Sequence, residues 1–210
     1  MIIVTAADSK YKSIVEDSIQ KSSALGFQIQ VYDLGGLGSG IKFEEENESF
    51  KKNGYYELLD DSWPSRSLFK PKVIKLAMNQ FSDKILWLDA DAHLVKVPDF
   101  GDDNFDIGIA LREKPIELKF SRPHYRYGLY NAGVILFNNT ELARDFVDRW
   151  ASLTDSKRND QLALNILLSG HFQHFYDEPI RIREFSAHYN SSVLTDDTVI
   201  HHKKGVKNAV

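Results

Sequence analysis

The chain has 210 residues, the length of one ordinary domain. Its 26 Lys and Arg against 30 Asp and Glu leave a formal charge of −4, which excludes a global attraction to nucleic acid or anionic lipid. Cysteine is absent, so disulfides, thiolate zinc sites, iron–sulfur clusters and cysteine nucleophiles are excluded.

Residues 1–5 (Met-Ile-Ile-Val-Thr) are apolar and β-branched, as a buried strand requires. Ile14, Val15, Ile19 and Leu25 then recur at helical spacing, with Asp8 or Ser9 as cap and Gly26 as stop. Residues 27–32 read as a second strand, so this strand–helix–strand unit predicts a partly parallel sheet. Four glycines in residues 34–40 predict a loop, and residues 41–61 are acidic and aperiodic. Pro71 opens a helix with Val73, Ile74, Ala77, Met78 and Phe81 on its buried stripe. Residues 85–88 and 107–111 read as strands, residues 112–130 as a basic, aromatic loop, and residues 134–137 as a further strand. Helices follow over 140–152 and 159–168, then short strands over 172–176, 180–182 and 198–202. Strands alternating with helices predict an α/β sandwich in a single unit over 1–210, with ligands at the carboxyl ends of the strands. No apolar run reaches the roughly 20 residues of a membrane span. The first residues lack the basic flank of a signal peptide, so a cytoplasmic location is expected.

The sharpest chemical signal is Asp89-Ala90-Asp91, directly after the apolar run 85–88. In extended chain, residues i and i+2 face the same way, so two carboxylates leave a core strand into one small volume. They repel unless a cation lies between them or one takes a proton. Without cysteine, a metal must be held by Asp, Glu, His or backbone oxygen, which favours magnesium, manganese or calcium. Turn or capping aspartates are the plain alternative.

Other blocks carry weaker signals. Ala6 and Ala7 leave room for a flat ring at the end of the first strand, where Asp8 is placed to accept from a base or ribose and Tyr11 to stack. A simple helix cap explains Asp8 equally well. Asn131-Ala132-Gly133 offers an amide and close backbone approach, or merely a turn. Asn159-Asp160-Gln161 is a helix start, with Asp160 and Gln161 available to a substrate. His201 and His202 follow the apolar residues 198–200 and are fit to complete a carboxylate-held metal site, with lysines after them for phosphate. Arg66, Lys70 and Lys72 precede the helix that leads to the Asp pair and are candidates for the same cleft, or ordinary solvated cations. Residues 112–130 are either an acceptor loop or lid, or a long surface loop.

Taken in order, these blocks resemble the GT-A glycosyltransferases, most of all the family-8 enzymes of the glycogenin-like and lipopolysaccharide-galactosyltransferase-like kinds. The resemblance implies a Rossmann-like α/β/α sandwich with a mostly parallel central sheet. It further implies a nucleotide-diphosphate sugar donor, UDP-hexose with Mn2+ or Mg2+, transfer with retention, and a saccharide, lipid-linked or protein acceptor. By the same likeness Asp89 and Asp91 match the metal motif, and His201 matches the metal histidine, with His202 as alternative. Thr5, Ala6, Ala7, Asp8 and Tyr11 match the base-binding segment. Ala90, Asn131, Ala132 and Gly133 match positions around the donor, and Asp160 and Gln161 the pair beside the anomeric carbon. Lys72 and Lys204 are assigned to the donor phosphates, with Lys203 and Lys207 as alternatives to Lys204. The family tail reads His-x-x-Gly-x-x-Lys-Pro-Trp; counted from His201, Gly205 is offset, and Pro-Trp is absent.

Three rival readings use the same residues. A haloacid-dehalogenase-like phosphatase would make Asp89 the nucleophile and Asp91 the acid. That family places the motif near the N-terminus, with Thr or Val where this chain has His93. A nucleotidylyltransferase would need a Gly-rich loop after the first strand, which is missing. A non-catalytic nucleotide-sugar-binding protein would keep the fold without an acceptor site.

Overall fold

A computed structural model describes residues 1–42, 67–111, 130–157, 159–168 and 179–203. The expected strand 172–176, nearly all of 41–61, the loop 112–129, Arg66, Lys204 and Lys207 lie outside these residues.

Seven strands form one sheet: β1 (Ile2–Asp8), β2 (Ile29–Gly35), β3 (Ile41–Lys42), β4 (Ile85–Leu88), β6 (Ile107–Leu111), β7 (Tyr130–Phe137) and β8 (Ile182–Phe185). Their order is β3-β2-β1-β4-β7-β6-β8. β1 is parallel to both β2 and β4, β2 to β3, and β6 to β8; only β7 runs against its neighbours. The sheet is therefore mostly parallel, as expected. The reversal of β7 brings its first residues to the sheet edge where β1 and β4 end. A separate ribbon pairs β5 (Ala92–Leu94) with β9 (Ile200–His202), antiparallel, with Ala92 opposite His202 and His93 opposite His201.

The two sheet faces bury different sets. On one face α2 (Lys70–Gln80), α3 (Glu141–Lys157) and α4 (Asp160–Leu168) pack Val73, Ile74, Ala77, Phe146, Trp150 and Leu164 onto Val4, Trp87, Ile135 and Phe137. These are the stripes that helical periodicity predicts. On the other face the β5–β9 ribbon covers the sheet, with Leu94 and Ile200 against Ile3, Leu88 and Leu136. Beside it lies α1 (Lys12–Ser23), whose Val15 packs with Ala7 and Leu37. Burial of this apolar surface at about 25 cal/mol per Å² is the main favourable contribution.

Local chemistry sets the boundaries. Asp8 caps a short 3-10 turn, Ser9–Tyr11, through Lys10 N at 2.9 Å, and α1 begins after it. Gly26 ends that helical segment with φ +83°, a conformation that side chains resist. Asn159 caps α4 by accepting from Leu162 N at 2.8 Å. No helix among the described residues is long and apolar enough to cross a membrane.

Two expectations need correction, and one strand was not expected. β7 starts at Tyr130, so Asn131-Ala132-Gly133 lies inside the strand and not ahead of it. Those residues form a bulge: β6 advances from 109 to 111 while β7 runs from 135 back to 130, so the extra β7 residues stand out of register. β5 carries only three residues and makes no periodic pattern. The strand expected at 180–182 lies at Ile182–Phe185.

Candidate active site

A cleft opens at the carboxyl ends of β1 and β4. Ala6, Ala7, Asp8, Tyr11, Asp89, Ala90 and Asp91 line it, together with Leu34, Lys70 and Trp87. The small side chains at the end of β1 make the space, and the turn capped by Asp8 carries Tyr11 to its edge. Thr5 is buried one residue short of the cleft and does not line it.

The Asp89–Asp91 turn is pinned from several elements. Asp89 N donates to Gly133 O on β7 at 2.9 Å, and Ala92 N to Asp89 O at 2.8 Å. Ser18 of α1 donates to Ala90 O at 2.9 Å, and Lys203 N to Asp91 O at 3.0 Å. Pairing of β5 with β9 then brings a late histidine to the turn. Ligand atoms of Asp89, Asp91 and His202 all lie within 4.8 Å of one another. His202 Nε2 is 3.0 Å from Asp91 Oδ1 and 3.7 Å from Asp89 Oδ2.

The second ring nitrogen fixes how His202 is used. Nδ1 lies 2.8 Å from Asn190 Oδ1, in the 3-10 turn Ala187–Asn190. With Nδ1 set against the Asn190 amide, Nε2 is the ring nitrogen that faces the carboxylates. Gly133 makes this possible. A Cβ there would sit 2.2 Å from His202 Cε1 and 2.5 Å from Nδ1. The close approach expected at Gly133 is thus made to an imidazole.

His201 was the preferred ligand on sequence, and here the structure reverses the order. Side chains alternate along a strand, so His201 projects from the other face of the ribbon. There it packs edge-on against His93, with ring centroids 5.2 Å apart. Burial and the Lys203 and Lys21 charges hold His201 below the usual histidine pKa, while burial, Lys21, His201 and Lys203 push His93 down to about 4. Counting the family tail from His202 also restores the His-x-x-Gly spacing to Gly205. That sequence signal favours His202.

Two carboxylates and an imidazole converging on one volume are a donor set that could hold a divalent metal ion such as Mn2+ or Mg2+. Gly133 and Asn190 show that the ring is held for this geometry. The residues present fit the cation that the fold implies.

Lys70 sits at the centre of the second half of the site. It is 6% exposed, and its Nζ lies 2.8 Å from Asp89 Oδ1 and 3.0 Å from Asp160 Oδ2. A third contact goes to Ala132 O at 3.1 Å, so all three ammonium protons have acceptors. Burial alone would depress this amine. Attraction to Asp160 and Asp89 more than reverses that and holds its pKa above the ordinary lysine value. Burial opposes ionisation of Asp89, but the Lys70 charge and the hydrogen bonds from Lys70 and Trp87 outweigh it and hold its carboxyl below the usual carboxylate range. Trp87 Nε1 donates to the same Oδ1 at 2.9 Å, which leaves Oδ2 facing His202.

Lys72, assigned to the donor phosphates, points elsewhere. Two residues of helix turn about 200°, so with Lys70 inward Lys72 faces α3, where it pairs with Asp155 at 3.1 Å. The proline at 71 marks the helix start but not which flanking lysine is buried.

Asp160 is buried and joined to the cleft through Lys70. Gln161 is tied to β7: Oε1 accepts from Ala132 N at 2.9 Å and Nε2 donates to Tyr130 O at 2.6 Å. Asn131 turns its Oδ1 to Gly133 N at 2.8 Å inside the bulge. Lys203 reaches back to Asp17 of α1 at 3.0 Å, beside Lys21 on the same carboxylate.

No protein-family profile and no curated protein matches the sequence. Solved structures do match over nearly the whole chain. A glycosyltransferase involved in glycosylation of the major capsid of PBCV-1 aligns with TM-score 0.59 and 14% identity, over 98% of this chain and 96% of that one. The galactosyltransferase LgtC, solved in complex with donor and acceptor sugar analogs, aligns with TM-score 0.56 and 20% identity, over 98% and 88%. The chain therefore has the fold of these GT-A glycosyltransferases.

Proposed function

We propose that this protein is a metal-dependent glycosyltransferase that moves a hexose from a UDP-sugar to an acceptor, with retention. The observation that carries the reading is the convergence of Asp89, Asp91 and His202 at the edge of a cleft floored by β1 and β4. The cleft is lined at one end by small residues, Asp8 and Tyr11, which suit a nucleoside, and at the other by the acidic turn, which suits a cation-bound diphosphate. LgtC, solved in complex with donor and acceptor sugar analogs, supports the reading of a sugar-donor cleft.

When bound, Mn2+ or Mg2+ at Asp89, Asp91 and His202 would neutralise charge growing on the departing diphosphate. The chain supplies the rest. Asp8 and Tyr11 orient the nucleoside. Lys70 fixes Asp89 and Asp160 relative to each other. Asp160 sets a carboxylate next to the donor sugar, where a transition state of oxocarbenium character favours negative charge over positive. The rival phosphatase reading weakens at its nucleophile, because Asp89 Oδ1 already accepts from both Lys70 and Trp87.

Calorimetry of UDP binding with Mn2+, and again with EDTA, tests the proposal. Wild-type protein should bind UDP only with the metal, and Asp91→Asn should lose that binding while keeping its thermal unfolding cooperative. Undiminished UDP affinity in Asp91→Asn would overturn the donor-site assignment.

A further inference from the structure

Two serines lie on the buried side of α1, where that helix meets the acidic turn. Val15, Ser18 and Ser22 are its buried residues, and their spacing makes one stripe. A hydroxyl in such a place is unfavourable unless it is hydrogen-bonded. Both are bonded. Ser22 Oγ accepts from Leu94 N at 3.4 Å, in β5, where Leu94 already pairs with Ile200 of β9. Ser18 Oγ reaches Ala90 O at 2.9 Å, nearer than the Ile14 carbonyl of its own helix at 3.1 Å.

Ala90 O is the group of the acidic turn that needs an outside partner. Ala92 N donates to Asp89 O at 2.8 Å, which closes residues 89–92 as a four-residue turn with Ala90 and Asp91 at its centre. Gly133 O accepts from Asp89 N, and Lys203 N donates to Asp91 O. None of these bonds fixes the peptide between Ala90 and Asp91. Type I and type II turns share the bond that closes them and differ by a rotation of that central peptide. The peptide is planar, so its rotation changes ψ of Ala90 and φ of Asp91 together. With φ changes the direction in which the Asp91 side chain leaves the backbone. Among the described residues, Ser18 is the donor that meets the Ala90 carbonyl.

We propose that Ser18 is a positioning residue for the cation site. Its hydroxyl locks the central peptide of the turn, so that Asp91 Oδ1 stands 3.0 Å from His202 Nε2, with Asp89 Oδ2 beside them. Without that bond the turn keeps its closure, but the Asp91 carboxylate loses its fixed direction. A cation must then order it on binding, and affinity falls. This rests on the metal-dependent reading above.

The test measures Mn2+ affinity, by electron paramagnetic resonance of the free ion, and thermal unfolding in EDTA. Wild type is compared with three variants. Ser18→Ala removes the hydroxyl, Ser18→Thr keeps it, and Ser22→Ala makes the same deletion one turn along the same stripe. Loss of a group that supports metal ligands typically lowers affinity about 10–100-fold, and Ser18→Ala should lie near the lower end, at about tenfold. Ser18→Thr should stay within about threefold of wild type, because the donor remains. Ser22→Ala should also stay within about threefold, because a 3.4 Å contact is long for a hydrogen bond and ends three residues beyond Asp91. Wild-type Mn2+ affinity in a folded Ser18→Ala overturns the role. An equal loss in Ser22→Ala also overturns it, since the effect would then belong to the packing of α1 as a whole. So does a folded Ser18→Thr that binds Mn2+ as weakly as Ser18→Ala. If the added methyl keeps Ser18→Thr from folding, the two alanine variants decide. Wild-type protein that binds no Mn2+ would instead sink the metal-dependent reading on which the role depends.

Discussion

The sheet buries charge at both of its ends, and the two ends use it differently. At the far end, Asp106 is fully buried and its carboxylate is saturated. It accepts from Thr140 Oγ1 at 2.8 Å, Arg181 N at 2.9 Å, and Arg181 Nε and Nη2 at 3.0 Å. At the cleft end, Lys70 is saturated, but the groups around it are not. Asp89 Oδ2, Asp91 Oδ1 and His202 Nε2 turn toward one volume and lie within 4.8 Å of one another. A buried charge whose bonds are all made internally serves stability, whereas one that leaves converging donors unfilled is arranged for a ligand.

That contrast breaks first at Lys70. Lys70→Met would leave Asp89 and Asp160 buried without their counter-ion. Removing one partner of a buried pair typically destabilises by about 3–5 kcal/mol. Urea unfolding at neutral pH should show a loss of that order, and UDP release should fall to background in whatever fraction still folds. Arginine should not restore it, because a planar fork does not match three acceptors around one nitrogen. A stable, active Lys70→Met would mean that the network is incidental.

Asp106→Ala comes next and should separate the two ends. It should lower stability by about 3 kcal/mol while the folded fraction keeps its metal-dependent UDP affinity. The pH dependence has a definite sign. Desolvation opposes ionisation of Asp106, but hydrogen bonds from Arg181 and Thr140 and the Arg181 charge prevail and hold its pKa low. A depressed folded-state pKa contributes stability that is complete above the unfolded value near 3.9, and that is lost as pH falls through the folded value. The acid-unfolding midpoint should therefore move to higher pH in Asp106→Asn. An unshifted acid limb would remove Asp106 from the account.

The two ends also differed in how far they could be read from sequence. Strands at 1–5, 85–88 and 107–111 and the stripe of α2 are continuous local patterns, and the structure has them. Asp89 and Asp91 were legible because their spacing of two, after an apolar strand, is itself a geometric statement. Lys70 was named only as one of three cations before a helix, since its burial depends on Asp160, ninety positions away, and on a β7 carbonyl. β7 itself was shortened because Asn131 and Gly133 look like a turn, and only the bulge and the hydrogen bonds from Gln161 of α4 make them strand. The His201–His202 ambiguity has the same origin. In a strand of period two, a shift of one residue exchanges the faces, and nothing local says which face meets the acidic turn.

The smallest expected effect therefore lies in that histidine pair, and it sharpens the comparison most. His202→Ala removes the one ring nitrogen that faces Asp91, so Mn2+ affinity measured by calorimetry should fall by about 10–100-fold, the range seen when groups that set up a metal site are lost. His201→Ala removes a ring that lies against His93 on the opposite side of the ribbon. Its loss should lower the melting temperature by a few degrees, as expected for a buried side chain in a domain of this size. The Mn2+ affinity should stay within about twofold, because the backbone bonds that register β9 on β5 do not involve the side chain. Both variants keep one histidine of the pair, so composition and net charge are matched and only the face differs. Equal losses of Mn2+ affinity would show that the ribbon's register, and not the face of one imidazole, governs the cation site.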